Sequence, residues 1–76
     1  MSLYYEYQTP LGAFRIEQTR LGWIPLFESE ALAGAYRTAQ MALDDLVDGH
    51  ADWPPVGNPA KLKLPNELAD WEFIRG

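Results

Sequence analysis

Residues 44–55 read DDLVDGHADWPP and set four aspartates, Asp44, Asp45, Asp48 and Asp52, around the single histidine of the chain, His50. Carboxylates and an imidazole at this density suggest cation binding or general acid/base chemistry. Asp44 and Asp48 are four residues apart, so a helix would present both on one face, with His50 as a third ligand. An EF-hand loop needs ligands at its positions 1, 3, 5 and 12 and glycine at 6. Counted from Asp44, Asp48 and Gly49 match positions 5 and 6, but Leu46 and Pro55 stand at 3 and 12. The loop therefore fails, and a metal on Asp44, Asp48 and His50 would keep most of its coordination in water, so no metal is assigned.

Acid/base work would pair His50 with Asp52, Asp48 or Ser29. That chemistry needs a cleft that shifts pKa values, which 76 residues with one histidine can hardly enclose, and no G-x-S-x-G nucleophile motif is present. The expectation is a protein with no catalytic residue, no cofactor and no enzymatic activity. The plainer reading of the stretch is the end of a helix running into a turn, with His50 hydrogen-bonded there.

The elements that would position these residues follow from periodicity. LYYEYQT alternates, Leu3, Tyr5 and Tyr7 against Tyr4, Glu6 and Gln8, as a strand does. Thr9-Pro10-Leu11-Gly12 makes a turn, AFRIEQT a second strand, Arg20-Leu21-Gly22 a second turn and WIPLFE a third strand. Pro25 has no N–H for a ladder and places the third strand at an edge or on a bulge. Ala39, Ala42, Leu43 and Leu46 then form one apolar helical stripe, with Thr38 as N-cap and Gly49 at the C-terminal glycine position. The expected helix covers about residues 38–48, with LAGAYR before it as a loop or short fourth strand. One long helix from Ser29 to Val47 is the alternative. Residues 50–76 are a proline-rich arm in which NELADW makes a short helical turn and EFIRG adds a strand or frays.

The expected fold is thus α+β over residues 1–76: a three-stranded antiparallel meander in 1–28 with strand 2 central, a helical segment in 29–49 packed on one face, and the arm. The expected core is Phe14, Ile16, Trp23, Leu26, Tyr36, Leu43, Leu46, Leu68 and Trp71.

Composition excludes several classes. With no cysteine, disulfides and thiolate metal sites are absent. No apolar run is long enough to span a membrane, and no signal segment is evident at the start, so a cytoplasmic protein is expected. The net charge of −5 disfavours a phosphate-binding surface. It is concentrated in residues 29–52, which hold five acids and one base. The strand aromatics could stack on bases, and the β-β-β-α order is similar to that of double-stranded RNA-binding folds. The basic patch such domains require is missing.

The succession of a Gly-turn meander, W-I-P-L-F-E, L-A-G-A-Y-R-T-A-Q-M-A-L-D-D-L-V-D-G-H, W-P-P and L-P-N-E-L-A-D-W resembles a family of small hypothetical proteins of proteobacteria. In these a Thr-capped helix ends in Asp-Asp-Leu-x-x-Gly-His and a terminal Leu/Ile-Pro-x-x-Leu-x-x-Trp follows. The resemblance covers about residues 12–72, and Ala33 is an insertion in the Leu-Gly step. The family has no established activity, so the resemblance implies no catalytic residue; it favours the shorter helix from Thr38.

Protein binding is the remaining class. Trp53 and Trp71 flank the proline-rich stretch and Tyr4 lies on a strand, and Trp and Tyr are common interface anchors. The Pro25 strand or the open edge of strand 1 could pair with a partner segment, and the protein could form a homodimer. The expected function is a small bacterial accessory module that binds another protein. The alternative is an acidic protein acting on nucleic-acid machinery by weak binding or mimicry.

Overall fold

The computed structural model of the chain describes residues 3–75; residues 1, 2 and 76 of the expected domain lie outside the described residues. The strands are β1 (Leu3–Thr9), β2 (Gly12–Thr19), β3 (Gly22–Phe27), β4 (Glu30–Ala31) and β5 (Glu72–Arg75). One helix, α1 (Ala39–Val47), and two 3-10 turns, Pro59–Lys61 and Leu68–Asp70, complete the α+β fold. All strand pairs are antiparallel, in the order β4-β3-β2-β1-β5. The meander has strand 2 at its centre as expected, and gains one strand on each side.

Both tight hairpins use the same four residues, Thr-x-Leu-Gly. The Thr9 hydroxyl accepts from the Leu11 and Gly12 N–H groups at 3.1 Å each and donates to the Gly12 carbonyl at 2.7 Å. Thr19 accepts from Leu21 N–H at 3.2 Å and donates to the Gly22 carbonyl at 2.8 Å. Gly22 has φ +134, and a Cβ there would lie 2.3 Å from the Tyr36 carbonyl oxygen, so glycine is required on both counts.

Register decides which residues reach the core. Phe14 lies opposite Tyr7 and Phe27, and Ile16 opposite Tyr5 and Pro25, so these six share one face. The helix lies over β2 and β3 and buries Ala39, Ala42, Leu43 and Leu46 against that face. Each such leucine contributes about 1.5–3 kcal/mol by leaving water. Phe14, Ile16, Leu43, Leu46 and Trp71 are buried as expected.

Leu26 is not in this core. It lies opposite Arg15 on the uncovered face, and Phe27, the next residue, is buried in its place. Apolar residues on both faces of WIPLF leave period-2 reading no contrast with which to set the phase. Trp23, Tyr36 and Leu68 are half-buried at the core margin.

Strand β3 is interior rather than an edge, because residues 30–36 run along its outer side. The Leu26–Ala31 and Phe27–Glu30 pairs and an isolated Trp23–Tyr36 bridge hold that segment. Pro25 sits between them, where the ladder is interrupted. Its carbonyl accepts the Leu32 N–H at 2.9 Å, while its own nitrogen, lacking a hydrogen, needs no partner. The detour it permits turns Leu32 inward, 1% exposed. This excludes the long helix from Ser29; the short fourth strand is Glu30–Ala31, just ahead of LAGAYR.

Candidate functional site

The DDLVDGHADW stretch closes a helix. Thr38 caps the start of α1, its hydroxyl accepting from Met41 N–H at 3.1 Å. At the other end Gly49 takes φ +75. Gly49 N–H bonds the Leu46 carbonyl at 3.2 Å and His50 N–H bonds the Asp45 carbonyl at 2.9 Å, a Schellman termination. Backbone groups thus satisfy the helix end where the aspartates meet the negative end of the dipole. Among the described residues, Arg37, Lys61 and Lys63 form no ion pair with them.

Asp44, Asp48 and His50 are all exposed and do not converge. Asp44 accepts from the Gln40 side-chain amide at 2.8 Å, Asp48 is the helix C-cap, and His50 Nδ1 lies 3.8 Å from the Asp45 carboxylate. Among the described residues no group of three or more His, Asp or Glu side chains is placed to hold a metal ion. His50 faces Asp45, not the Asp52, Asp48 or Ser29 that acid/base spacing offered. Asp45 also neighbours Tyr36, whose hydroxyl pKa is raised by burial first and by the Asp45 carboxylate second, as hydrogen-bond acceptor and as like charge. Tyr36 reaches Asp45 through its bridge to Trp23, a tertiary pairing with no local spacing signal.

The two tryptophans of the arm have opposite fates. Trp71 is 4% exposed, 5.6 Å from the Tyr7 ring, and its indole N–H donates to the Pro65 carbonyl at 2.9 Å. It fastens the arm to the core, and so offers no surface to a partner. Trp53 is 59% exposed. Its indole N–H donates to the Gly49 carbonyl at 3.1 Å, Asp52 N–H bonds the Leu32 carbonyl at 2.7 Å just before it, and buried Pro54 follows. The ring is displayed and held at the same time.

Tyr4 lies on the face of the sheet opposite the helix. Two rows cross that face: Ile24–Glu17–Tyr4–Ile74, and Leu26–Arg15–Glu6–Glu72. Arg15 Nε donates to Glu6 at 2.7 Å and its guanidinium lies 4.7 Å from the centre of the Tyr4 ring. The Glu6 hydrogen bond, foremost, raises the Arg15 pKa further. The described residues form no pocket.

Neither edge the sequence offered to a partner is free. Strand 1 is covered by β5, and β3 by residues 30–36. EFIRG takes the strand alternative as β5, but its place beside strand 1 and the exposure of Phe73 carried no local signal. Phe73 is 44% exposed, 4.8 Å from the Tyr5 ring, and Tyr5 lies 5.9 Å from Trp23.

No helix among the described residues is long and apolar enough to cross a membrane. Compared with protein-family models, curated proteins and solved structures, the chain has no match.

Proposed function

We propose that the protein is a non-enzymatic interaction module of the bacterial cytoplasm that binds another protein through the surface around Trp53. The observation that carries this is the indole itself, 59% exposed yet fixed by its bond to the Gly49 carbonyl. An exposed aromatic already held in one orientation has little side-chain freedom to lose on binding, which is the cost that weakens most contacts. Trp is also among the residues that dominate measured interface energies. Pro54 restricts the Trp53 backbone to extended conformations, so the presentation does not depend on a partner to form it.

The test is affinity capture from the native host at native expression, with wild type and Trp53→Ala in parallel and mass spectrometry of the eluates. One protein recovered in stoichiometric amount with wild type and lost with Trp53→Ala, at unchanged circular dichroism, supports the reading. Wild type recovered bare, or equal recovery by both, overturns it. Capture of a nucleic-acid-processing enzyme that ignores Trp53→Ala favours the acidic-mimic alternative.

A further inference from the structure

The two edges of the sheet are unequal. On the β4 side the edge strand has two residues and is followed by the detour at Pro25. On the β5 side Glu72–Arg75 is regular, free of proline and bulge, and the helix lies over β2 and β3 away from it. Natural sheets blunt or cover edges of this kind, because unpaired N–H and C=O groups template further pairing.

Which groups are unpaired follows from the ladder. Glu28 N–H bonds the Ala13 carbonyl, so Ala13 points its backbone toward β3. Alternation then points Phe14 toward β1, Tyr7 toward β2 and Glu6 toward β5. Glu6 pairs Glu72 and Tyr4 pairs Ile74, so these two β5 residues spend their backbone groups on β1. Phe73 and Arg75 point theirs outward.

We infer that β5 pairs with β5 of a second copy of this chain, about a two-fold axis perpendicular to the sheet at Ile74. Opposed residues in an antiparallel pair share a face, so registers of like parity keep helices on one side. Of these, 73 with 75 and 74 with 74, 73 with 73, and 75 with 75 oppose outward-pointing residues of β5, and the last sets two like-charged guanidinium groups against each other. The first joins both outward-pointing residues, Phe73 to the other copy's Arg75 and the reverse, and satisfies four backbone groups at each contact. It sets each guanidinium across from an exposed aromatic ring, a pairing of charge and quadrupole that Arg75 and Phe73 already make within one chain at 6.0 Å. On the other face it sets Ile74 against Ile74 and continues the row that contains Tyr4. The second register places Arg75 opposite Trp71, whose N–H is bonded to the Leu68 carbonyl, and loses the cation pairing. Self-complementarity of this kind is what a two-fold interface requires. Four residues make a small interface, so the dimer is weak, with a Kd above about 1 μM.

The experiment is sedimentation equilibrium over a wide concentration range with wild type, Ile74→Lys, Ile74→Glu, their equimolar mixture, and Arg75→Pro. The expected result is a wild-type mass that rises from 8.6 kDa toward twice that value. Both Ile74 variants alone stay monomeric because like charges meet at the axis, and their mixture recovers the dimer. Arg75→Pro removes one outward N–H without touching the β1 pairing and also stays monomeric. A wild type that is monomeric throughout overturns the inference, as does a dimer indifferent to Arg75→Pro or a mixture that stays monomeric. A monomeric wild type whose captured partner is lost with Arg75→Pro assigns the edge to a foreign strand. The Trp53 reading stands or falls separately, on capture by Trp53→Ala.

Discussion

The Glu28 carboxylate accepts the Ala13 N–H at 2.6 Å, while the Glu28 N–H bonds the Ala13 carbonyl at 2.8 Å. A side chain therefore completes a pair that a strand would close with backbone alone. It does so from φ +56, a left-handed conformation that costs a non-glycine residue about 1 kcal/mol.

Two opposed terms give an ordered prediction at this position. Glu28→Ala keeps the strained φ and loses a charge-assisted hydrogen bond, costing about 1.5–2 kcal/mol. Glu28→Gly loses the same bond but relieves the φ, and costs about 1 kcal/mol less than alanine. Urea unfolding of wild type and both variants measures the order; alanine the more stable of the two would show that the positive φ carries no strain, and alanine as stable as wild type that the carboxylate contributes nothing.

Gly22 and Gly34 separate crowding from chain freedom. Gly22→Ala meets the Tyr36 carbonyl at a forbidden φ and destabilises by more than about 2 kcal/mol, through loss of the Trp23–Tyr36 bridge. At Gly34 an added Cβ meets nothing within 4 Å, so Gly34→Ala lies within about 0.5 kcal/mol of wild type. Thermal melts of the two variants check the contrast.

The meander, the helix and both its caps were legible because each is local: period-2 alternation, an i, i+3, i+4, i+7 stripe, Thr38 and Gly49 at its ends. Strands β4 and β5 were legible only as alternatives, a short fourth strand or a loop and an added strand or a frayed end. Two residues cannot show a period, and EFIR is defined by its pairing with a strand some seventy positions earlier. The same limit hid the site. Trp53 and Trp71 look alike in a proline-rich arm, and only the path of that arm over Tyr7 buries one and leaves the other outside.

That difference is measurable. Trp71→Ala empties a buried aromatic site and costs about 3–5 kcal/mol, whereas Trp71→Phe costs less by keeping most of the ring while leaving the Pro65 carbonyl without its donor. Trp53→Ala stays within about 1 kcal/mol of wild type, the worth of one exposed hydrogen bond. Acrylamide quenching of single-tryptophan variants should find Trp53 accessible and Trp71 protected.

Tyr36 makes the fold sensitive to alkali. Its pKa is raised above the ordinary value of 10.0 by burial and by Asp45. Between the unfolded and folded pKa values the folded chain binds more protons, so stability falls as pH rises. The contribution is complete below pH 10 and lost above it. Denaturant unfolding from pH 8 to 11 should show a decline that Tyr36→Phe reduces; an identical decline in the variant would assign it to other groups.

The strand order β4-β3-β2-β1-β5 has a consequence for biosynthesis. On the ribosome β1, β2, β3 and the helix all emerge before Glu72–Arg75, so a nascent meander exposes the outer side of β1, with its Tyr4 and Glu6 backbone groups unpaired, until β5 has left the exit tunnel. Closing that edge joins residues some seventy positions apart, a contact of high sequence separation and so slow to form. A nascent chain on a neighbouring ribosome of the same message presents the same open strand.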